Sequence, residues 1–571
     1  MDKKKIAKYK FHILALFLII IFCGSIAPKA LQNDTFYTIK VGEYISQNGI
    51  GNLREDPFSW HELPYTFPHW LYDIIIYSIY NIGGMQGIFI STIIFTSILG
   101  ICIYLVSNKI SKNAPISAII TFVSMYLMKP YIAARAQLVT FSLMILTIFF
   151  IECYLEKAEK KYAIGLILLS LLIVNLHMAV WPFFFVLFIP YLVEYFISKD
   201  LITVDLIIKL EIFLLKHKIL KCDIEEGQDL QEVTEKELAN LEGKIAHNQK
   251  RRKELRENPY KVRVTRNDNI KKLFLVMILC AVMGIFTPTG LTTPYTYLYK
   301  TATGNTMKVI NEHLPLDLAK NKDFVAFFVL FVVVLTFIDI KIDLKHLLYY
   351  LGILYLALNA RRQVSMFLVI CTPILAKLLA DIFEKYAPEL QDNLIKLFTN
   401  FYGEVILSTI VIVIGIQNFK PKINTEYYTN QDYPIYASEW IKENLDYKNI
   451  KLFNEYNYGS YLIYQGIPVM IDSRCDLYTP QYNTKTGNPN DGQDIFMDVQ
   501  NIATGADEYN KVFTNYGVTH VLTFSDSNVS KKIKNDANYE KLYPITDEEK
   551  EKDGRFVIYK KIDAQTKIDE Q

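Results

Sequence analysis

The polar loop after the first apolar segment, residues 28–69, holds the residues best suited to chemistry. Asp34 lies near its start, and Asp56 and His69 follow. An acidic side chain at the mouth of a membrane helix is costly to desolvate, which makes such a residue a candidate for function. Asp34 alone is equally consistent with a helix cap, because aspartate often occupies that position. The other polar residues decide between the two interpretations.

Further polar residues lie in short turns that the order of apolar segments brings to the same side of a membrane as this first polar loop. They are Arg135, Asn175, His177, Arg361 and Arg362. Taken singly, such an arginine can snorkel to the interface and His177 can end a helix. Taken together, acids, histidines and arginines on one face predict a substrate-binding site.

Such a site suits a lipid-borne anionic substrate. Arginine binds a phosphate bidentately and keeps its charge at the membrane interface. A carboxylate nearby can accept the proton of an attacking hydroxyl, or can hold a divalent cation that neutralises a diphosphate. The residues therefore predict sugar transfer from a polyprenyl-linked donor held in membrane lipid. No cofactor is certain, a divalent cation is the one candidate, and its ligands are not assigned.

The amino-acid composition limits the classes of protein to which the chain can belong. The chain has 571 residues, of which 51% are hydrophobic and 14% aromatic, and the apolar residues are clustered. This favours a multi-pass membrane protein that carries a soluble part. The net charge of +2 gives no basis for nucleic acid as a partner. The seven cysteines are scattered without a CxxC motif, so neither a disulfide framework nor a zinc site is indicated.

Apolar segments and loop charge predict the topology. Five lysines precede the first span, which places the N-terminus in the cytoplasm, and the span is read as uncleaved. An odd number of spans then places the C-terminal part outside the cell membrane. Trp70 to Ile82 is expected to lie at the outer interface as a helix. The eleven predicted spans are 11–27, 86–106, 115–129, 137–152, 162–176, 180–197, 271–287, 324–338, 345–359, 364–383 and 402–418.

The predicted fold class is a multi-pass α-helical membrane protein of about 11 transmembrane helices with a C-terminal extracytoplasmic α/β domain. The insert at 199–270 is rich in charge and carries spaced leucines, which indicates a cytoplasmic helical pair that is either a solvated spacer or a docking site. Short strands are predicted at 450–453, 468–471, 518–523 and 556–559. The predicted parts are 1–198 (transmembrane, with the first polar loop), 199–270 (insert), 271–419 (transmembrane) and 432–562 (α/β domain).

The first polar loop resembles that of the GT-C membrane glycosyltransferases, such as the protein O-mannosyltransferases. Asp34-Thr-Phe-Tyr37 is similar to their acidic residue followed by an aromatic residue near the first span. Pro68-His-Trp-Leu-Tyr72 with Gly83-Gly84 is similar to their proline-aromatic helix that ends in glycine. The resemblance implies that Asp34 is the catalytic base or the acid beside a metal. The usual second acid is absent, because Thr35 follows Asp34.

A second resemblance lies in the C-terminal part. Glu455-Tyr456-Asn457-Tyr458-Gly459, followed by Asp472 and Arg474, is similar to the Trp-Trp-Asp-Tyr-Gly segment and downstream aspartate of the oligosaccharyltransferase catalytic subunit. Both tryptophans are replaced and Asn457 stands for the aspartate, so recognition of a peptide sequon is not implied. The resemblance adds Asn457, Asp472 and Arg474 to the expected substrate-binding residues.

These observations predict a glycosyltransferase that moves a sugar from a polyprenyl-phosphate-type donor to a cell-surface acceptor, with Asp34 and Asp56 as its catalytic residues. The acceptor is left open. Two alternatives remain in envelope polymer assembly. A non-catalytic scaffold would keep the GT-C-like fold without turnover. A transporter should show inverted repeats and charged residues at mid-membrane depth, neither of which the sequence shows.

Overall fold

The computed structural model describes residues 3–562, except 51–54, 65, 199–203, 218–228, 258–260, 485, 487 and 506–507. Helices dominate the described chain. In its first part they are α1 (Lys3–Ile26), α2 (Asn33–Asn48), α3 (Trp70–Ser111), α4 (Ala114–Met128), α5 (Ala136–Lys157), α6 (Lys160–Leu176), α7 (Trp181–Val186), α8 (Ile189–Ser198), α9 (Val204–Lys216) and α10 (Leu230–Glu257).

The remaining helices alternate with longer loops. They are α11 (Ile270–Val282), α12 (Thr293–Thr303), α13 (Thr306–Val309), α14 (Lys322–Phe337), α15 (Leu344–Asn359), α16 (Gln363–Tyr386), α17 (Leu390–Thr399), α18 (Phe401–Ile423), α19 (Ile435–Asn444), α20 (Gly459–Tyr464), α21 (Pro480–Asn483), α22 (Ile495–Thr504), α23 (Tyr509–Tyr516), α24 (Asn528–Ile533) and α25 (Asp547–Lys552).

Six segments of the described chain are long and apolar enough to cross a membrane, as a membrane protein requires. They are Lys5–Ile26, Trp70–Ser111, Ala136–Lys157, Met178–Ser198, Gln363–Tyr386 and Phe401–Ile423. The other predicted spans coincide with the shorter apolar helices α4, α6, α11, α14 and α15. The count of eleven spans and the orientation of the termini stay predictions.

The segment expected at the outer interface is continuous with the next predicted span. Trp70 to Ser111 is one helix with a break at Gly84, which has a positive φ of 56°. Glycine adopts this conformation without a steric penalty, so the chain changes direction there. Gly84 therefore divides α3 into two helical segments, and the first of them ends at the pair Gly83-Gly84, as the sequence predicts.

Helix α2 is held tightly against the first turns of α3. A Cβ atom at Gly42 would lie 2.1 Å from the carbonyl oxygen of Asp73, so only glycine allows this approach. Phe36, on the other face of α2, is fully buried against Tyr433 and Tyr461 of the C-terminal part. Helix α2 is thus packed between the membrane helices and the C-terminal part, and its first turn carries Asp34.

The C-terminal part contains a four-stranded sheet in the order β3-β4-β6-β5. Strands β3 and β4 are parallel, and β6 pairs antiparallel with both β4 and β5. A separate two-residue parallel pair joins β1 to β2. The strands are β1 (Val262–Arg263), β2 (Ile342–Asp343), β3 (Leu452–Phe453), β4 (His520–Phe524), β5 (Tyr539–Tyr543) and β6 (Phe556–Lys561).

The predicted strand at 468–471 is wrong as a member of this sheet. Val469 instead forms an isolated parallel bridge with Ser59 of the first polar loop. The amide of Val469 donates to the carbonyl of Phe58 at 3.2 Å, and the indole of Trp60 donates to the carbonyl of Leu452 at 3.1 Å. The first polar loop is therefore fastened to the C-terminal part by backbone hydrogen bonds.

Helices α9 and α10 of the insert pack against each other through Ile208, Leu215 and Leu241. Leu241 is one of the spaced leucines from which the helical pair was predicted. Residues 199–203, 218–228 and 258–260 of the predicted insert lie outside the described residues.

Candidate active site

A cavity of about 670 Å³ lies where membrane helices meet the first polar loop and the C-terminal part. Seven of the residues predicted from sequence line it: Asp34, His69, Arg135, His177, Arg362, Asn457 and Arg474. Four others are not among its lining residues: Asp56, Asn175, Arg361 and Asp472. The structure thus brings together polar groups from five separate stretches of the chain.

Asp34 does not cap α2. The N-cap residue is Gln32, whose side chain makes no capping hydrogen bond, and Asp34 lies in the first helical turn. Its carboxylate faces Arg135 instead, with 3.0 Å between Oδ2 and Nε. The hydroxyl of neighbouring Thr35 donates to the carbonyl of Ala134 at 3.3 Å, which fixes α2 against the turn that carries Arg135.

Arg135 contacts a second carboxylate, that of Glu312. Nη1 of Arg135 lies 3.6 Å from Oε2 of Glu312, so the guanidinium is flanked by Asp34 and Glu312. Burial acts to lower the pKa of Arg135, but the two carboxylates outweigh it and raise this pKa. The sequence prediction missed Glu312. The signal that would have found it is an acid-histidine pair, Glu312-His313, in a loop between two apolar segments.

Arg362 has a different environment. Its Nη1 donates to Nε2 of His313 at 2.7 Å. Burial and the neighbouring Arg362 lower the pKa of His313 to about 4, so this ring is neutral at pH 7 and can accept the hydrogen bond. Within the described residues, no carboxylate oxygen lies within 4.0 Å of the Arg362 guanidinium, in contrast to Arg135 and Arg474. Arg362 therefore lines the cavity without a carboxylate in ion-pair contact.

Arg361, although adjacent in sequence, points elsewhere. Its Nε donates to the carbonyl of Pro315 at 3.2 Å, and Nη1 donates to the side chain of Asn311. Both partners belong to the loop that carries Glu312 and His313. The two consecutive arginines therefore have different contacts. Arg361 binds the 311–315 loop, and Arg362 lines the cavity.

Two histidines line the membrane side of the cavity. The rings of His69 and His177 are 5.3 Å apart, and Nδ1 of His177 lies 3.1 Å from the hydroxyl of Thr140. Burial lowers the pKa of His69 to about 4, against a smaller opposing effect of Asp34. Burial, His69 and Arg362 lower the pKa of His177 as well. Both rings are therefore neutral at pH 7 and available as hydrogen-bonding groups.

The neutral state of His69 predicts a pH dependence of stability. A folded-state pKa below the unfolded value of about 6.5 means that stability is complete above pH 6.5 and is lost as the pH falls below it. We expect the unfolding temperature of the purified protein to fall further between pH 7 and pH 5 than that of His69→Gln, measured by intrinsic fluorescence in detergent. An equal fall in the unfolding temperature of the two proteins would contradict a lowered pKa of His69.

Arg474 forms the centre of a buried ion-pair cluster. Its Nη1 and Nη2 contact both oxygens of Asp56 at 2.6 and 3.2 Å, and its Nε and Nη2 contact both oxygens of Asp472 at 2.8 and 2.7 Å. The hydroxyl of Tyr478 also donates to Asp472. The carboxylate of Asp56 additionally accepts from the amide of Ser59 at 2.8 Å. Asp56, expected as a catalytic residue, is thus placed behind the cavity wall, where it holds Arg474.

We expect Arg474→Met to lower the free energy of unfolding by roughly 3–5 kcal/mol, because it leaves two buried carboxylates without their cation. Arg266→Met is the matched control. Arg266 pairs with Asp268 at an exposed site, with 55% and 58% of the two side chains accessible. Loss of such a pair is worth about 1 kcal/mol or less. Equal denaturant midpoints for the two variants would contradict a structural role of the cluster.

Asn175 is placed at a helix junction. It accepts from the indole of Trp70 at 3.0 Å and donates to the carbonyls of Leu171 and Phe286. These bonds join α3, α6 and the segment after α11, so Asn175 supports the cavity from behind.

The opposite wall comes from the C-terminal part. Asn457 lies in the short 3-10 turn Tyr456–Tyr458, and the carbonyl of Tyr456 accepts from the side chain of Asn33 at 3.1 Å. A Cβ atom at Gly459 would lie 2.0 Å from the carbonyl of Ile471, so glycine is required where this turn crosses the following segment. The turn that resembles Trp-Trp-Asp-Tyr-Gly therefore lines the same cavity as Asp34 and contacts the residue that precedes it, Asn33.

A buried acid that sequence analysis did not single out, Asp476, completes this wall. Its Oδ2 accepts from the hydroxyls of Tyr297 and Thr301 at 2.9 and 3.2 Å. Burial raises the pKa of Asp476, and these two hydrogen bonds and Arg362 oppose the rise. No local sequence pattern distinguishes this residue from the other polar residues around it.

The described residues do not offer a ready site for a divalent cation. No group of three or more histidine, cysteine, aspartate or glutamate side chains in this part of the chain is arranged to hold a metal ion. The nearest pair of carboxylates on the cavity wall, Asp34 and Glu312, is separated by the guanidinium of Arg135. The described residues of the cavity therefore do not fit the divalent cation that the sequence suggests as a candidate cofactor.

Comparison with known proteins identifies the fold. No family model matches the chain, and no curated protein matches it. Among solved structures, the Archaeoglobus fulgidus oligosaccharyltransferase tethered with an acceptor peptide containing the NVT sequon is similar, with a TM-score of 0.51 at 12% sequence identity over 90% of this chain and 69% of that chain. The archaeal oligosaccharyltransferase AglB from the same organism, in complex with an inhibitory peptide and a dolichol-phosphate, gives a TM-score of 0.49 at 12% identity over 90% and 70%.

These neighbours confirm the predicted resemblance to the GT-C type of membrane glycosyltransferase at the level of the fold. The chain is thus similar in fold to this oligosaccharyltransferase, and its C-terminal part packs on its first polar loop.

Proposed function

We propose that the protein is an integral membrane glycosyltransferase that moves a sugar from a polyprenyl-phosphate-type donor to a cell-surface acceptor on the outer face. The observation that supports this most directly is a single cavity lined by both the carboxylate of Asp34 and the guanidinium of Arg362, which has no carboxylate in ion-pair contact. The similar fold of the Archaeoglobus fulgidus oligosaccharyltransferase that was solved with a tethered acceptor peptide supports this class of reaction.

Arg362 is the proposed contact for the donor phosphate. It lies at the start of α16, one of the helices able to cross a membrane, so a phosphate bound there leaves its polyprenyl chain within reach of lipid. Its guanidinium offers two parallel N–H donors, which match two phosphate oxygens. The neutral His313 accepts one N–H of Arg362 and orients the remaining donors toward the cavity.

Asp34 is the proposed general base. The hydroxyl oxygen of the acceptor attacks the anomeric carbon of the donor sugar, a new carbon–oxygen bond forms, and the bond from that carbon to the phosphate oxygen breaks. The electron pair leaves with the polyprenyl phosphate, and the hydroxyl proton passes to the Asp34 carboxylate. Asn457 and the neutral His69 and His177 are proposed to bind hydroxyl groups of the substrates.

Asp56, Asp472 and Arg474 have a supporting role in this proposal. They fix the first polar loop on the C-terminal part, and Arg474 contributes to the cavity wall. Asp56 is thus proposed to position the loop, and Asp34 remains as the single catalytic carboxylate.

Deletion of the gene in cells that make the protein tests the proposal. We expect one polyprenyl-linked sugar to accumulate and one surface glycan to lose that sugar, as measured by mass spectrometry of extracted lipids and surface polymers. The wild-type gene should restore the glycan, and the Asp34→Asn gene should not. Unchanged lipids and glycans in the deletion strain would refute a transferase and leave a non-catalytic scaffold.

The proposed topology places the N-terminus and the 199–270 insert in the cytoplasm and the C-terminal part outside. Single cysteines at two exposed positions test it, Ser525→Cys in the C-terminal part and Gln249→Cys in α10. We expect a membrane-impermeant maleimide to label Ser525→Cys in intact cells, and to label Gln249→Cys only after the membrane is permeabilised. The opposite pattern would place the cavity on the cytoplasmic face and contradict an outer-face reaction.

A further inference from the structure

Three charged groups meet on the membrane side of the cavity. The guanidinium of Arg135 lies 3.0 Å from Asp34 and 3.6 Å from Glu312, and all three residues line the cavity. Nε of Arg135 is buried and makes no hydrogen bond of good geometry within the described residues, so the contact with Asp34 is an ion pair. Arg135 thus occupies the space between two carboxylates that could otherwise bind a cation together.

We propose that Arg135 is a built-in cation that takes the place of a divalent metal ion beside the donor phosphate, so that sugar transfer proceeds without a bound metal. This inference rests on the proposed function. The proposed function names Asp34 as the general base and Arg362 as one phosphate contact. The present inference adds which group supplies the second positive charge beside the phosphate.

The charge balance of the cavity supports this role. The lining holds three carboxyl groups, those of Asp34, Glu312 and Asp476, and three guanidinium groups, those of Arg135, Arg362 and Arg474. A divalent ion held by both carboxylates would require Arg135 to leave the space between them. The partly buried guanidinium, with 29% of its side chain exposed, would then lose both of its carboxylate partners, which is unfavourable.

The geometry also suits a phosphate ligand. Asp34 and Glu312 hold the guanidinium in place from two sides, so little side-chain freedom is lost when a ligand binds. Arg135 immediately precedes α5 and Arg362 immediately precedes α16, which places both cations at the ends of helices able to cross a membrane. A phosphate that enters from lipid therefore meets two fixed guanidinium groups on the cavity wall.

A metal-binding measurement separates this inference from the proposed function. The purified full-length protein is stripped with EDTA and titrated with Mn²⁺, and free Mn²⁺ is followed by electron paramagnetic resonance. We expect the wild-type protein to show no Mn²⁺ site that depends on Asp34. Arg135→Gln frees the two carboxylates to ligate one ion together, and we expect it to bind Mn²⁺ about tenfold or more tightly than the wild type.

Two variants control the measurement. Arg135→Gln combined with Glu312→Gln should lose the gained Mn²⁺ site, because only one carboxylate remains. Arg361→Gln, at an arginine that holds the 311–315 loop but does not itself line the cavity, should bind Mn²⁺ no better than the wild type. If Arg135→Gln does not fold, a comparison of the Mn²⁺ titrations of the wild-type protein and Asp34→Asn still shows whether the wild type has a metal site that depends on Asp34.

The activity arm uses membranes from the cells that make the protein. Transfer by the wild type is expected to persist in EDTA. A wild-type Mn²⁺ site that disappears in Asp34→Asn, or transfer that is lost in EDTA and restored by Mn²⁺, would overturn the inference and leave the proposed transferase intact. Absence of transfer under every condition would refute the proposed function, while the Mn²⁺ titration would still report on Arg135.

Discussion

Asp34→Asn is expected to abolish transfer while the protein still folds and inserts in the membrane. The substitution keeps the size of the side chain and removes its negative charge. Loss of a general base costs about 10²–10⁴-fold in rate. By contrast, the loss of one acidic charge in the first turn of a helix costs only about 0.3–1 kcal/mol of stability. The measurement is the surface glycan formed in a deletion strain that expresses the variant at the wild-type level.

Glu43→Gln is the matched control for this prediction. Glu43 lies on the same helix as Asp34, but its carboxylate pairs with Lys40 at 2.6 Å and does not line the cavity. We expect Glu43→Gln to form the wild-type amount of glycan. A full glycan signal from Asp34→Asn would remove Asp34 from catalysis and favour the scaffold.

Arg362→Lys is expected to weaken donor binding although the positive charge is kept. Lysine has a single ammonium group and cannot offer two parallel N–H donors to one phosphate. Hydrogen bonds to a charged group contribute about 1.5–3 kcal/mol each, so loss of one corresponds to roughly a tenfold to hundredfold weaker affinity. The affinity of the purified protein for a short-chain polyprenyl phosphate, measured by isothermal titration calorimetry, tests this expectation.

Arg361→Lys provides the comparison, because the two arginines are adjacent and only Arg362 lines the cavity. We expect Arg361→Lys to bind the lipid phosphate with nearly wild-type affinity and to lose some stability of the 311–315 loop. A larger loss of affinity from Arg361→Lys than from Arg362→Lys would contradict the proposal that Arg362 binds the phosphate and would point to Arg361 instead.

The sequence predicts the membrane part of the fold well, because apolar length is a local property. The six long helices coincide with predicted spans, and the first-loop resemblance to GT-C enzymes matches the fold of the solved neighbours. Short turns between such segments can be assigned to one side of a membrane, which is why Asp34, Arg135, His177 and Arg362 could be placed near one another.

The sequence does not reveal which polar residues pair with one another. Asp56 and Arg474 are 418 residues apart, and no local pattern links them. Asp56 therefore looked like a second catalytic acid, whereas the structure surrounds it with Arg474 and a backbone amide. Glu312 and Asp476 were missed for the related reason that a single acid in an irregular loop has no periodicity to mark it.

The attachment of the first polar loop to the C-terminal part has a consequence for biosynthesis. Ser59 bridges to Val469, and Asp56 pairs with Arg474, so the early loop finds its partners only after more than 400 further residues have been made. Contacts of such sequence separation form late, because the intervening chain must be closed first. We expect the membrane helices to be inserted before the loop that carries Asp34 has its C-terminal contacts. The cavity is then completed only after Val469 and Arg474 have left the ribosome. Incomplete chains would therefore reach the membrane without a working site.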